Sequence, residues 1–270
     1  MVPHTDFASP ISHSPSLKDW QEATAMATCR YDGCSETACG DAAWCILHLD
    51  FPNEDDPEFT RIRDEKQRKT REKIERGDLN FQGTNIYDVD ASGVSIPAQN
   101  NVIFKNATIK GRFKFERAKI EKSASFEGAK IEKNASFAGA QIEGDAFFEG
   151  VEIGGDATFA GVEIGGEVSF ERAKIGGYAT FSGAQIEGDA FFEGVEIGGD
   201  AWFGGVAIGG GASFAGAKVG EEAWFRGAQI GGDVRFEGAQ IGGDARFEEA
   251  EIRGGVRFEG AQIGGALYFI

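Results

Sequence analysis

The sequence predicts an all-β solenoid, a chain wound into stacked coils, and three observations carry that prediction. A phenylalanine recurs every eleven residues without a gap from Phe104 to Phe269. Five residues after each of these except the last comes isoleucine, or valine at Val219, from Ile109 to Ile263. Two residues before the bulky positions stands a small or branched apolar residue, as in Ala157 before Phe159 and Val162 before Ile164. A spacing of five then six does not fit a helical period of 3.6, and the 40 glycines would each cost a helix interior about 1 kcal/mol. An apolar pair at i−2 and i points to one side of a short extended segment, and a following glycine permits a corner. Stacked coils would then bury columns of Phe, Ile and Ala, each buried Phe or Ile contributing about 1.5–3 kcal/mol before chain entropy is subtracted.

These residues resemble the pentapeptide-repeat proteins, whose unit is a small residue, any residue, a bulky apolar one and two more that close the side. The resemblance runs from Leu79 to Ile270 and implies a right-handed four-sided β-helix with four units per coil. The first turn keeps a strict spacing of five, with Phe81, Ile86, Ala91 and Ile96 at the inward centres. The later pairs carry one extra residue, which makes coils of about 22 residues with two sides of five and two of six. Surface residues agree with 22 and not 11. After the phenylalanines, Glu127, Glu149, Glu171 and Glu193 fall in one series, while Ala138, Ala160, Ser182 and Gly204 fall in the other. Before the isoleucines, Lys130, Glu152, Lys174, Glu196 and Lys218 alternate in sign at 22-residue steps, which places opposite charges on neighbouring coils ~4.8 Å apart.

The N-terminal third has a different composition. Residues 1–24 are rich in Ser, Pro and His, have no periodicity and read as a disordered arm. Residues 25–52 contain Cys29, Cys34, Cys45 and His48 in the spacing C-x4-C-x10-C-x2-H, which resembles the small zinc modules that sometimes precede pentapeptide repeats. Three thiolates and an imidazole suit tetrahedral zinc in a structural site with no open position, with Cys39 as an alternative ligand. Residues 57–77 form a charged helix with a narrow apolar stripe at Phe59, Ile62 and Ile74, ended by Gly77. A solenoid's first coil needs such a cap over its core and its open strand edge. Residues 79–270 are the solenoid.

Catalytic chemistry is scarce. His4 and His13 lie in the arm and His48 in the metal motif, so the solenoid has neither histidine nor cysteine, and most nucleophile and general-base arrangements are excluded. The recurrent G-G-D is not a nine-residue calcium repeat, because the Asp becomes Glu167, Tyr178, Gly211 or Gly255. The formal charge of −17 argues against direct binding to nucleic acid or anionic lipid. No apolar run approaches the ~20 residues that span a bilayer and no secretory pattern opens the chain, so a cytoplasmic location is expected.

The expected function is therefore a non-enzymatic protein-interaction scaffold. The resemblance adds an alternative, an acidic DNA mimic that occupies a type II topoisomerase or another DNA-binding protein. The charge is uneven for a uniform decoy: residues 105–134 hold nine Lys or Arg against four Glu, and residues from 143 onward hold eight against 22 acidic groups. Two stripes are candidate docking surfaces. Trp202, Trp224, Arg246 and Tyr268 form an outward column of the residue types most often found at interface hot spots, expected near the acidic ridge of Glu127, Glu149, Glu171 and Glu193. The ending "GALYFI" carries no polar cap, so a homodimer through the last coil is a further expectation.

Overall fold

The computed structural model describes residues 28–31, 34, 36 and 44–269. The expected arm, Cys39 and Ile270 lie outside them. From Leu79 onward the chain makes two-residue strands joined by corners, in four parallel sheets of nine, nine, nine and eight strands. Each strand pairs with the strand four further along, so one coil contributes one strand to each sheet. The register is 22 residues throughout the later coils, as in Ala146↔Val168 and Glu152↔Lys174. The first coil is offset by 23 on its first two faces, Leu79↔Val102, and by 24 on the other two, Val89↔Phe113, because its strict fives are followed by the longer connection at residues 97–101. About nine coils at ~4.8 Å make a rod ~40 Å long.

The inward positions fill the rod as the repeat requires. Phenylalanines occupy the first and third faces, isoleucines the second and fourth, and Phe81, Ile86, Ala91 and Ile96 are at most 1% exposed. Within each face the rings stack coil on coil, Phe148 on Phe170 at 4.6 Å and Phe159 on Phe181 at 4.9 Å. Across the rod the two ladders meet edge to face, Phe148 against Phe159 at 5.2 Å and 81°, the geometry that the aromatic quadrupole favours. Phe113 stands where most coils carry Ala or Val, and its ring stacks on Phe115 at 4.9 Å. Val219 is the single valine in the isoleucine columns, and a cavity of about 10 Å³ lies beside it among Phe203, Phe214 and Phe225. Val219→Ile is therefore expected to raise stability by about 0.5–1 kcal/mol, read as a shift in denaturant midpoint at unchanged slope.

The corners explain the G-G-D motif. Aspartate recurs at 145, 189 and 233 on one corner and at 156, 200 and 244 on another, every second coil. Each Oδ1 accepts the backbone N–H of the residue 22 further on, as in Glu167 to Asp145 at 3.0 Å, Tyr178 to Asp156 at 3.3 Å, Gly211 to Asp189 at 2.6 Å and Gly255 to Asp233 at 2.8 Å. The residues that interrupt the motif are thus the donors that the aspartates serve, and the corner period is 44. Both glycines are steric. A Cβ at Gly166 would lie 2.1 Å from Asp145 Oδ1, and one at Gly220 would lie 2.1 Å from the carbonyl oxygen of Gly198 in the coil below. At the other end of the rod Leu267, Tyr268 and Phe269 are 38–50% exposed.

Candidate metal centre and outward columns

The four metal-ligand candidates converge. A 3₁₀ turn, Ile46–His48, follows Cys45 and returns His48 toward it. Cys45 Sγ lies 3.2 Å and Cys29 Sγ 3.6 Å from His48 Nδ1, and Cys34 Sγ lies 3.8 Å from Cys45 Sγ. All four donor atoms are within 4.8 Å of one another. A tetrahedron with metal–sulfur bonds of ~2.3 Å has edges of ~3.8 Å, so the observed separations fit one shared ion. His48 Nε2 donates to the Gln82 carbonyl at 2.9 Å, which leaves Nδ1 bare toward the thiols. Tyr31 stacks on the imidazole at 4.1 Å, and its phenol lies where a side chain at Gly83 would stand. Gln82 and Gly83 belong to the first coil, so the knuckle is docked on the solenoid through one of its own ligands.

The electrostatics agree with a cation site. The Cys45 N–H donates to Cys29 Sγ at 3.2 Å. A hydrogen bond from Cys45, helped by His48 against the effect of burial, holds the Cys34 thiol down at about 4, and the same bond together with burial pushes Cys45 up. A thiolate at Cys34 is thus favoured without an ion, and deprotonation of Cys45 would be helped by a bound positive charge. Four protein donors leave no position for water or substrate, so a metal held there would organise the fold and supply no reaction chemistry.

Helix α1, Phe59–Glu75, lies over the first coil and the 3₁₀ turn. It ends in a Schellman turn, with Gly77 at φ 72° and Asp78 N–H bonded to Lys73 O at 2.9 Å. The apolar stripe expected at Phe59, Ile62 and Ile74 is present, but Lys66, Thr70 and Lys73 share the buried face. Lys66 Nζ donates to the carbonyls of Leu49 and Asn85 and lies 4.4 Å from the Phe51 ring centre, which joins knuckle, helix and coil. Lys73 Nζ meets Asp78 at 2.5 Å. Burial raises the Asp78 carboxyl, but the bond and charge of Lys73 outweigh it and hold the group below its ordinary range. Asp78→Asn should cost about 1–2 kcal/mol at neutral pH by leaving buried Lys73 short of its partner. A carboxyl lowered on folding stabilises above its unfolded value of ~3.9 and loses that effect as pH falls through the lower folded value. The difference between variant and parent should therefore be constant above about pH 5 and vanish in acid, as read by helical circular dichroism.

The four-sided stack with a bulky apolar centre on each side now stands beside one comparison. A family model described as pentapeptide repeats matches nine copies, in windows from residues 104–152 to residues 225–270, more than half of the chain. The chain belongs to the pentapeptide-repeat family. No curated protein and no solved structure matches it.

The outward columns of this pentapeptide-repeat solenoid correct one expectation. The glutamates at 127, 149, 171 and 193 follow strands of the first sheet, whereas Trp202, Trp224, Arg246 and Tyr268 lie in the third. Eleven residues are half a coil, so the two stripes stand on opposite faces and not beside each other. The ridge is partly met by the chain's own cations: Lys105 reaches Glu127 at 2.5 Å and Arg172 lies 3.9 Å from Glu171. On the third face Arg246 lies between two rings, 4.7 Å from Trp224 and 4.5 Å from Tyr268, and also meets Asp244 at 2.7 Å. Tyr178 stacks on Trp202 at 5.1 Å and extends the column one coil further. On the second face the alternating charges pair as the 22-residue register implies, Lys130 with Glu152 at 3.3 Å and Lys218 with Glu196 at 2.9 Å.

Proposed function

We propose that this pentapeptide-repeat protein is a non-enzymatic scaffold that presents rows of side chains to a protein partner. The observation that carries the reading is the third-face column, in which half-buried Trp202, Trp224 and Arg246 and exposed Tyr268 offer contiguous aromatic and guanidinium surface on a rigid sheet. A solenoid is suited to this, because each coil contacts only its neighbours and outward residues vary without disturbing the core. The knuckle is proposed to hold one zinc ion. Among the described residues no helix is long and apolar enough to cross a membrane.

The test is capture of partners from the native host by the parent and by Trp202→Ala with Trp224→Ala, at low and high salt. The double variant should lose most capture at any salt, and unchanged capture overturns the assignment of this face. The acidic-mimic alternative rests on Glu127, Glu149, Glu171 and Glu193 on four consecutive coils; it predicts that the parent inhibits a type II topoisomerase at low salt and that reversing these charges abolishes the inhibition. A second copy of the chain is the partner proposed for Leu267, Tyr268 and Phe269, and self-association that persists in Phe269→Glu argues against it.

A further inference from the structure

One open pocket lies between α1 and the first two coils of the third face. It has a volume of about 250 Å³, and its wall includes Gln67, Thr70 and Arg71 from the helix, Asp88 and Asp90 from one coil, and Arg112 and Lys114 from the next. The cations here are unlike their neighbours. Along the helix Arg61, Arg63, Arg68 and Lys69 each pair with a carboxylate, and so do Lys73 and Arg76. Arg71, Arg112 and Lys114 have no side-chain hydrogen bond or ion pair among the described residues.

The two carboxylates of the pocket are already engaged. Asp88 Oδ1 accepts the Arg112 backbone N–H at 2.7 Å, and its Oδ2 lies 3.5 Å from Gln67 Nε2. Asp90 accepts the Ser92 N–H at 3.1 Å, and its carboxyl is held below the ordinary range first by Ser92 and then, against burial, by the charges of Lys114 and Arg112. Thr70 is 2% exposed and its hydroxyl has no hydrogen-bond partner. In a chain of net charge −17, this concavity gathers three cations, Arg71, Arg112 and Lys114, against the two engaged carboxylates of Asp88 and Asp90, and two guanidinium forks with an ammonium match the oxygens of a phosphate.

We propose that this pocket binds a small phosphorylated molecule through its phosphate group, held by Arg71, Arg112 and Lys114. The pocket is larger than a lone phosphate needs, so the remainder of the ligand has room against Val89 and Ile74. Because the three cations come from the helix and the second coil, the ligand would tie the cap to the solenoid and stabilise it by mass action.

The full-length protein would be titrated calorimetrically with inorganic phosphate, and separately with acetate, at constant ionic strength set by chloride. Phosphate is expected to bind once per chain, more tightly than acetate, and to raise the melting temperature of the helical signal. Arg112→Gln with Lys114→Gln should weaken binding at least tenfold, as should Arg71→Gln, which alters only an exposed helix position and guards against misfolding of the double variant. Lys122→Gln with Lys133→Gln, outside the pocket, should bind as the parent does. Acetate binding as tightly as phosphate, saturation only above about 10 mM, or equal affinity in the parent and the pocket variants would each overturn the proposal.

Discussion

Cys45→Ser is expected to release the zinc proposed for the N-terminal knuckle and unfold that knuckle while the rod stays folded. Cys45 is 1% exposed and its Sγ touches two of the other three donor atoms, so no other described side chain stands in its place. Structural zinc sites couple ~10–16 kcal/mol of binding to folding in small modules, far more than a 3₁₀ turn and one stacked tyrosine supply. Metal analysis should fall from about one zinc per chain to none. Hydrogen exchange should show loss of protection at the His48 and Leu49 amides, which donate to the Cys45 and Ile46 carbonyls, with protection kept beyond the second coil. Cys39→Ser should leave the metal content unchanged; retention of one zinc in Cys45→Ser together with loss in Cys39→Ser would hand the ligand role to Cys39.

The second large effect is expected inside the rod. Phe170 is 0% exposed and stacks between Phe148 at 4.6 Å and Phe192 at 5.4 Å, with edge contacts to Phe159 at 4.9 Å and Phe181 at 5.2 Å. Phe170→Ala removes a ring from one ladder and its edge contacts with the other, and the flanking coils are held in register by their backbone bonds and close only partly over the space. A loss of about 3–5 kcal/mol follows. The same change at Phe258, which is partly exposed in the penultimate half-coil, should cost much less. Because coils interact only with neighbours, the central variant should also split denaturant unfolding into two steps while Phe258→Ala keeps one. Equal losses at the two positions would contradict a core built from nearest-neighbour stacking.

The inward columns were legible because one side-chain type recurs at each, so a spacing of five and six maps directly onto sides of a coil. The candidate metal donors were legible for a similar reason: thiols and an imidazole announce themselves by type. The supports around them were not. The Gln82 carbonyl has no letter of its own, and Tyr31 over Gly83 is a contact between segments 52 residues apart in sequence. The apolar part of the buried face of α1 was legible at Phe59, Ile62 and Ile74, and its polar part was hidden because Lys66 and Lys73 read as solvated, while their long stems carry the charge to carbonyls and to Asp78. The corner aspartates repeat every 44 residues, and a reading at 22 makes their alternation look like noise. The position of the acidic ridge relative to the tryptophans was available in principle, since eleven residues of a 22-residue coil lead to the opposite wall.

The coil-to-coil hydrogen bonds, such as Phe170 N–H to Phe191 O at 2.7 Å and Lys174 N–H to Val151 O at 2.7 Å, run along the rod and not across it. Pulled from its two ends, the molecule would therefore behave as a spool and not as a cable. The bonds are loaded in series, the outermost rung yields first, and each turn paid out adds 22 extended residues, roughly 70 Å of slack, before the next turn feels the force.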